Sequence, residues 1–74
     1  MDKAYEYVIK WLKRDIGNLT YGLERINYLV KKIEELTNEG EINRIRTYVI
    51  LLQEWFKIID GIQMLINSDI QMLE

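Results

Sequence analysis

Apolar residues recur along the first half of the chain at Tyr5, Ile9, Leu12, Ile16, Leu19, Leu23, Ile26, Val30 and Ile33, at alternating spacings of four and three. That period predicts an α-helix with a coiled-coil seam, placing Ile9, Ile16, Leu23 and Val30 at a and Tyr5, Leu12, Leu19, Ile26 and Ile33 at d. The second half repeats the pattern through Ile42, Ile45, Val49, Leu52, Phe56, Ile59, Gln63, Ile66, Ile70 and Leu73, with Gln63 the one polar interruption. A lone buried amide reads first as a register device, because it needs a partner that slipped pairings would not supply.

Between the halves, Thr37-Asn38-Glu39-Gly40-Glu41 is the clear break, since Asn and Gly both accept the left-handed conformation that ends helices. The expected single domain, residues 1–74, is therefore all-α. It has helix 1 at about residues 2–37, a loop at 38–41 and helix 2 at about 42–73, folded antiparallel as an αα-hairpin. Gly17 and Gly22 in the first half open an alternative break near Gly17-Asn18. The apolar phase runs through both glycines, whereas a loop would reset it, and this favours a continuous helix.

The remaining positions differ between the halves. Helix 2 carries a second row, Tyr48, Leu51, Trp55, Ile58, Ile62, Leu65, Asp69 and Met72, apolar except at Asp69. A two-helix chain covers one row and leaves the other, so Tyr48, Leu51, Trp55, Ile58, Ile62, Leu65 and Met72 are the expected dimer interface of a four-helix bundle built from two hairpins. Docking of the same row against a different protein is the rival. Helix 1 turns a basic and aromatic strip outward: Tyr7, Lys10, Trp11, Arg14, Tyr21, Arg25, Tyr28 and Lys32. Its other acids, Glu6, Asp15 and Glu34 among them, lie beside the seam, where they are expected to pair with bases of the facing helix.

Composition narrows the chemistry. With 74 residues the chain is a small domain with little core, and it has no Cys to staple it. It also lacks His, the usual near-neutral base and metal ligand, and its few hydroxyls sit in no nucleophile motif. The acids of Glu34 to Glu41 miss the spacing of a calcium loop, and no phosphate-binding glycine loop is present. No enzyme activity, metal or cofactor is expected. The net charge of −2 gives no overall attraction to nucleic acid. No signal peptide or membrane span is recognisable in the sequence, which leads to an expected cytoplasmic protein without a membrane partner.

The expected function is a small adaptor or regulator that binds another protein through the helix 1 strip. Its size and lack of catalytic groups suit a viral or mobile-element product that modulates a host complex. The alternatives are a dimeric RNA- or DNA-binding hairpin using the same strip, with tyrosines stacking on bases, and a structural subunit of a larger assembly.

Overall fold

A computed structural model describes residues 3–74 as two helices, α1 (Lys3–Glu39) and α2 (Ile42–Leu73), packed against each other as a hairpin. The expected start of helix 1 at residue 2 lies outside the described residues. Gly17, Gly22 and Gly61 all lie within unbroken helix, so the break at Gly17-Asn18 does not occur. The hairpin is 58 Å long and 14 by 13 Å across, with a radius of gyration of 17.0 Å. A compact chain of this length would have a radius near 11 Å. Two rods lying side by side have no third layer to draw the structure inward.

The turn is built by Gly40, whose φ of +73° is the left-handed conformation. The Gly40 N–H donates to the Thr37 carbonyl at 3.2 Å and the Glu41 N–H to the Leu36 carbonyl at 3.0 Å. This pair of bonds is a Schellman cap, which satisfies two carbonyls that the end of α1 would otherwise leave free. α2 starts at the next residue, so the two helices are held antiparallel with almost no slack. Alanine at residue 40 should cost about 1–2 kcal/mol, because a Cβ disfavours positive φ. Alanine at Gly17 or Gly61, where an added Cβ meets nothing within 4 Å, should instead add about 1 kcal/mol through helix propensity. Thermal melts of the three variants should show these opposite signs.

The seam between the helices is not the a/d stripe expected for helix 1. The buried residues of α1 are Val8, Asp15, Gly22, Leu29 and Leu36, a strict seven-residue repeat, flanked by half-buried Leu12, Leu19, Ile26 and Ile33. The d row therefore faces α2 as expected, while the a row gives way to the g row, one residue earlier. On α2 the facing rows are Ile45, Leu52, Ile59, Ile66 and Leu73 together with Tyr48, Trp55, Ile62 and Asp69. The physical reason lies at Gly22. A Cβ there would sit 2.6 Å from Ile59 Cδ1 and 3.8 Å from Trp55 Cε3. The missing side chain is the recess that receives these two residues, and Val8, Leu29 and Leu36 complete the same row above and below it.

Candidate interaction faces

With the seam fixed, helical geometry at about 100° per residue assigns the other rows to two broad faces. On one side of α1 lie Ile9, Ile16, Leu23 and Val30, and in an antiparallel hairpin the row of α2 beside them is Val49, Phe56, Gln63 and Ile70. Much of this aliphatic face is exposed: Ile16, Leu23, Val30, Phe56 and Ile70 are all large apolar side chains on the surface, Leu23 at 51% and Phe56 at 49%. Gln63 is exposed among them.

The opposite, aromatic face takes Tyr7, Trp11, Arg14, Tyr21, Arg25, Tyr28 and Lys32 from α1, with Leu51, Ile58, Leu65 and Met72 from α2 alongside. Contacts across the helices confirm the placement. Tyr21 meets the Trp55 ring edge-on at a centroid distance of 5.7 Å. At the far end Tyr7, Val8, Trp11 and Met72, with Ala4 and Tyr5, line an open apolar groove of about 470 Å³. The groove exists because the first turn of α1 overhangs the end of α2. Tyr7, Trp11, Tyr21 and Tyr28 remain exposed, while Arg25 and Lys32 are half-buried. The Arg25 guanidinium lies 5.1 Å from the centre of the Tyr28 ring, a cation–π contact between residues three apart on the same helix. Lys32 Nζ reaches Glu35 at 3.4 Å, and the Glu35 charge raises the Lys32 pKa. Lys10 stands exposed at the outer edge of this face.

The seven helix 2 residues expected at a dimer interface are divided between seam and surface. Tyr48, Trp55 and Ile62 are half-buried toward α1, whereas Leu51, Ile58, Leu65 and Met72 are exposed on the aromatic face. The basic–aromatic strip of helix 1 stays together and gains that aliphatic row as its neighbour. Sequence periodicity did not place the strip beside Leu51 and Ile58, because the rows' adjacency depends on which residues turn toward the seam.

One pair in the seam was not anticipated. Asp15 and Asp69, only 1% and 6% exposed, face each other from the two helices within hydrogen-bonding reach. Asp15 was expected to pair with a base on the facing helix; it meets a second acid instead. Its Oδ1 accepts a 3.1 Å hydrogen bond from Nε of Arg14 on its own helix, and the other ion pairs among the described residues, Lys32–Glu35 and Glu54–Lys57, also run within one helix. The Oδ2 atoms of Asp15 and Asp69 are buried without a donor. A single proton shared between the carboxyls satisfies both, since a protonated carboxyl donates and the ionised one accepts. The hydrogen bond from Asp69, with help from Arg14, lowers the Asp15 pKa. The same hydrogen bond, burial and the Asp15 charge raise that of Asp69. Both directions, and the Arg14 hydrogen bond to Asp15, favour Asp69 as the protonated member of the pair.

Among the described residues no group of three or more acids converges as a metal-holding cluster, and no helix is long and apolar enough to cross a membrane. The chain matches no family model, no curated protein and no solved structure.

Proposed function

We propose that this chain is a non-enzymatic interaction protein, an adaptor or regulator that self-associates into a four-helix bundle and engages another protein through its aromatic face. The observation that carries the reading is the composition of that face. Exposed Tyr7, Trp11, Tyr21 and Tyr28 with Arg14 and Arg25 stand beside an aliphatic row, Leu51, Ile58, Leu65 and Met72. Aromatic and arginine anchors surrounded by apolar side chains are the make-up of protein–protein interface centres. The groove beside Trp11 and Met72 offers a recess for a partner's apolar side chain.

The same neighbourhood argues against nucleic acid. A strand stacked on the tyrosines has a single phosphate backbone that a line of cations must track, and the cations beside the tyrosines stand on α1. On the α2 side the strand would meet Leu51, Ile58 and Leu65 instead. RNA and single-stranded DNA should accordingly show no tight binding that weakens steeply with salt. A steep salt dependence in a gel-shift titration would overturn the protein reading in favour of the nucleic-acid one.

The direct test is capture of a partner from cells of the native source by the tagged chain, compared with the double variant Trp11→Ala, Tyr21→Ala. The variant should keep the helicity and mass of the parent and lose the partner. Unchanged capture by a folded variant would remove the aromatic face from consideration.

A further inference from the structure

We propose that the aliphatic face is the self-association surface and that it pairs two copies about a two-fold axis running along the helices, with both turns at the same end. The inference rests on the self-association proposed above and adds its face and its symmetry. The area supports a second copy as the occupant. A compact monomer of 9.0 kDa exposes about 4,900 Å², whereas this chain exposes 5855 Å². The excess, roughly 1,000 Å², is close to the ~800 Å² that each partner buries in a standard-sized interface. A face 58 Å long and 14 Å wide can supply that area only if most of its length is used.

Gln63 selects the orientation. The seam contacts Gly22–Ile59 and Tyr21–Trp55 fix which residues of α1 and α2 share a level, and they put Gln63 beside Ile16 and Phe56 beside Leu23. Gln63 lies about 8 Å from the middle of the hairpin at 1.5 Å per residue. If the two-fold axis crosses the helices at their middle, α1 stacks on α1 and the two Gln63 residues lie about 16 Å apart along the bundle. The two amides could not then reach each other, and the nearest polar side chain at that level is Gln53, on the rim of the facing α2. Moving that axis to the level of Gln63 brings the amides together but shifts the hairpins by a similar length and uncovers part of the face. An axis along the helices places α1 of one copy on α2 of the other, keeps the full overlap and sets both Gln63 amides at one level. Each amide has a donor and an acceptor, so the pair satisfies itself across the axis.

The test combines mass with distance. Light scattering should give twice the chain mass. Leu23→Glu with Phe56→Glu should give the single-chain mass, while Ile58→Glu with Leu65→Glu on the other face should stay dimeric. In the otherwise unchanged chain, a nitroxide label on Glu39→Cys at the turn should report a label pair separated by roughly 15–30 Å. An axis crossing the helices predicts about 50 Å, the length of a helix. This measurement does not depend on how the charged variants fold. A parent of single-chain mass overturns self-association and this inference together. A dimer that survives the Leu23 and Phe56 charges removes the face. A dimer with labels at about 50 Å, or at both distances, removes the symmetry and leaves self-association standing.

Discussion

The melting temperature of this chain is expected to fall as pH rises from mildly acidic to alkaline, and Asp69→Asn to abolish most of that fall. Asp69 has a raised pKa in the folded state, caused first by its hydrogen bond with Asp15. A raised folded pKa means that the folded chain holds a proton the unfolded chain releases. The stability it contributes is complete below the ordinary aspartate range and is lost as pH rises through the elevated value. Asp15, lowered chiefly by the same hydrogen bond, has the opposite sign, and its contribution disappears only in stronger acid. The pair therefore favours folding most in the interval where it carries one proton. Above that interval two carboxylates face each other in the seam, with Arg14 the neighbouring cation. Asparagine at residue 69 keeps a donor for Asp15 and cannot ionise. At alkaline pH the variant should melt higher than the parent. Parallel melts across pH 4–9 check this. A parent and variant with the same pH profile would show that no proton is shared.

Leu29→Ala should be the most damaging single truncation. Leu29 is 2% exposed and lies in the row of α1 that faces the seam. Among the described residues the buried apolar side chains are Val8, Leu29, Leu36 and Ile59, so the loss falls on a core with few other members. A buried Leu→Ala change costs about 2–5 kcal/mol, against a total of about 4–11 kcal/mol at 0.05–0.15 kcal/mol per residue. The melting temperature should drop by roughly 10 °C or more. Met64→Ala, on a side chain 71% exposed, should change stability by less than about 0.5 kcal/mol. Urea titrations of the two variants test the contrast. Similar losses at both positions would mean that the seam does not run through Leu29.

The architecture was legible because two signals agreed. The apolar period carried without a phase change from Tyr5 to Ile33, and Gly40 followed Asn38 at the place where the period paused. The seam was less legible because α1 is apolar on three adjacent rows, and periodicity identifies a stripe without saying which edge of it turns inward. The a row, Ile9, Ile16, Leu23 and Val30, is the more regular. The g row carries an aspartate and a glycine and looks inferior by composition. It prevails because Gly22 receives Trp55 and Ile59, a fit between two helices that no single-helix pattern contains. The Val8, Leu29 and Leu36 repeat was the available signal. Asp69 stands out in the sequence as the exception in its row and Asp15 as an acid beside the seam that calls for a basic partner, and only the pairing of the rows brings them together.

The nearly slackless turn at Gly40 also bears on the order in which the molecule assembles. Leu36 and Ile45, seam residues of the two helices, flank it closely in sequence, so bringing them together closes a short loop at small entropic cost. Each seam contact farther from the turn then closes onto structure already formed. The chain can zip from the turn toward its two termini, and Asp15 meets Asp69 late in that progression. Interactions absent from the folding transition state act mainly on the unfolding rate. Protonation of the aspartate pair should therefore govern how long the closed hairpin survives, with little influence on how quickly it forms. Its alkaline form would open first at the end remote from Gly40, where Trp11 and Met72 border the groove.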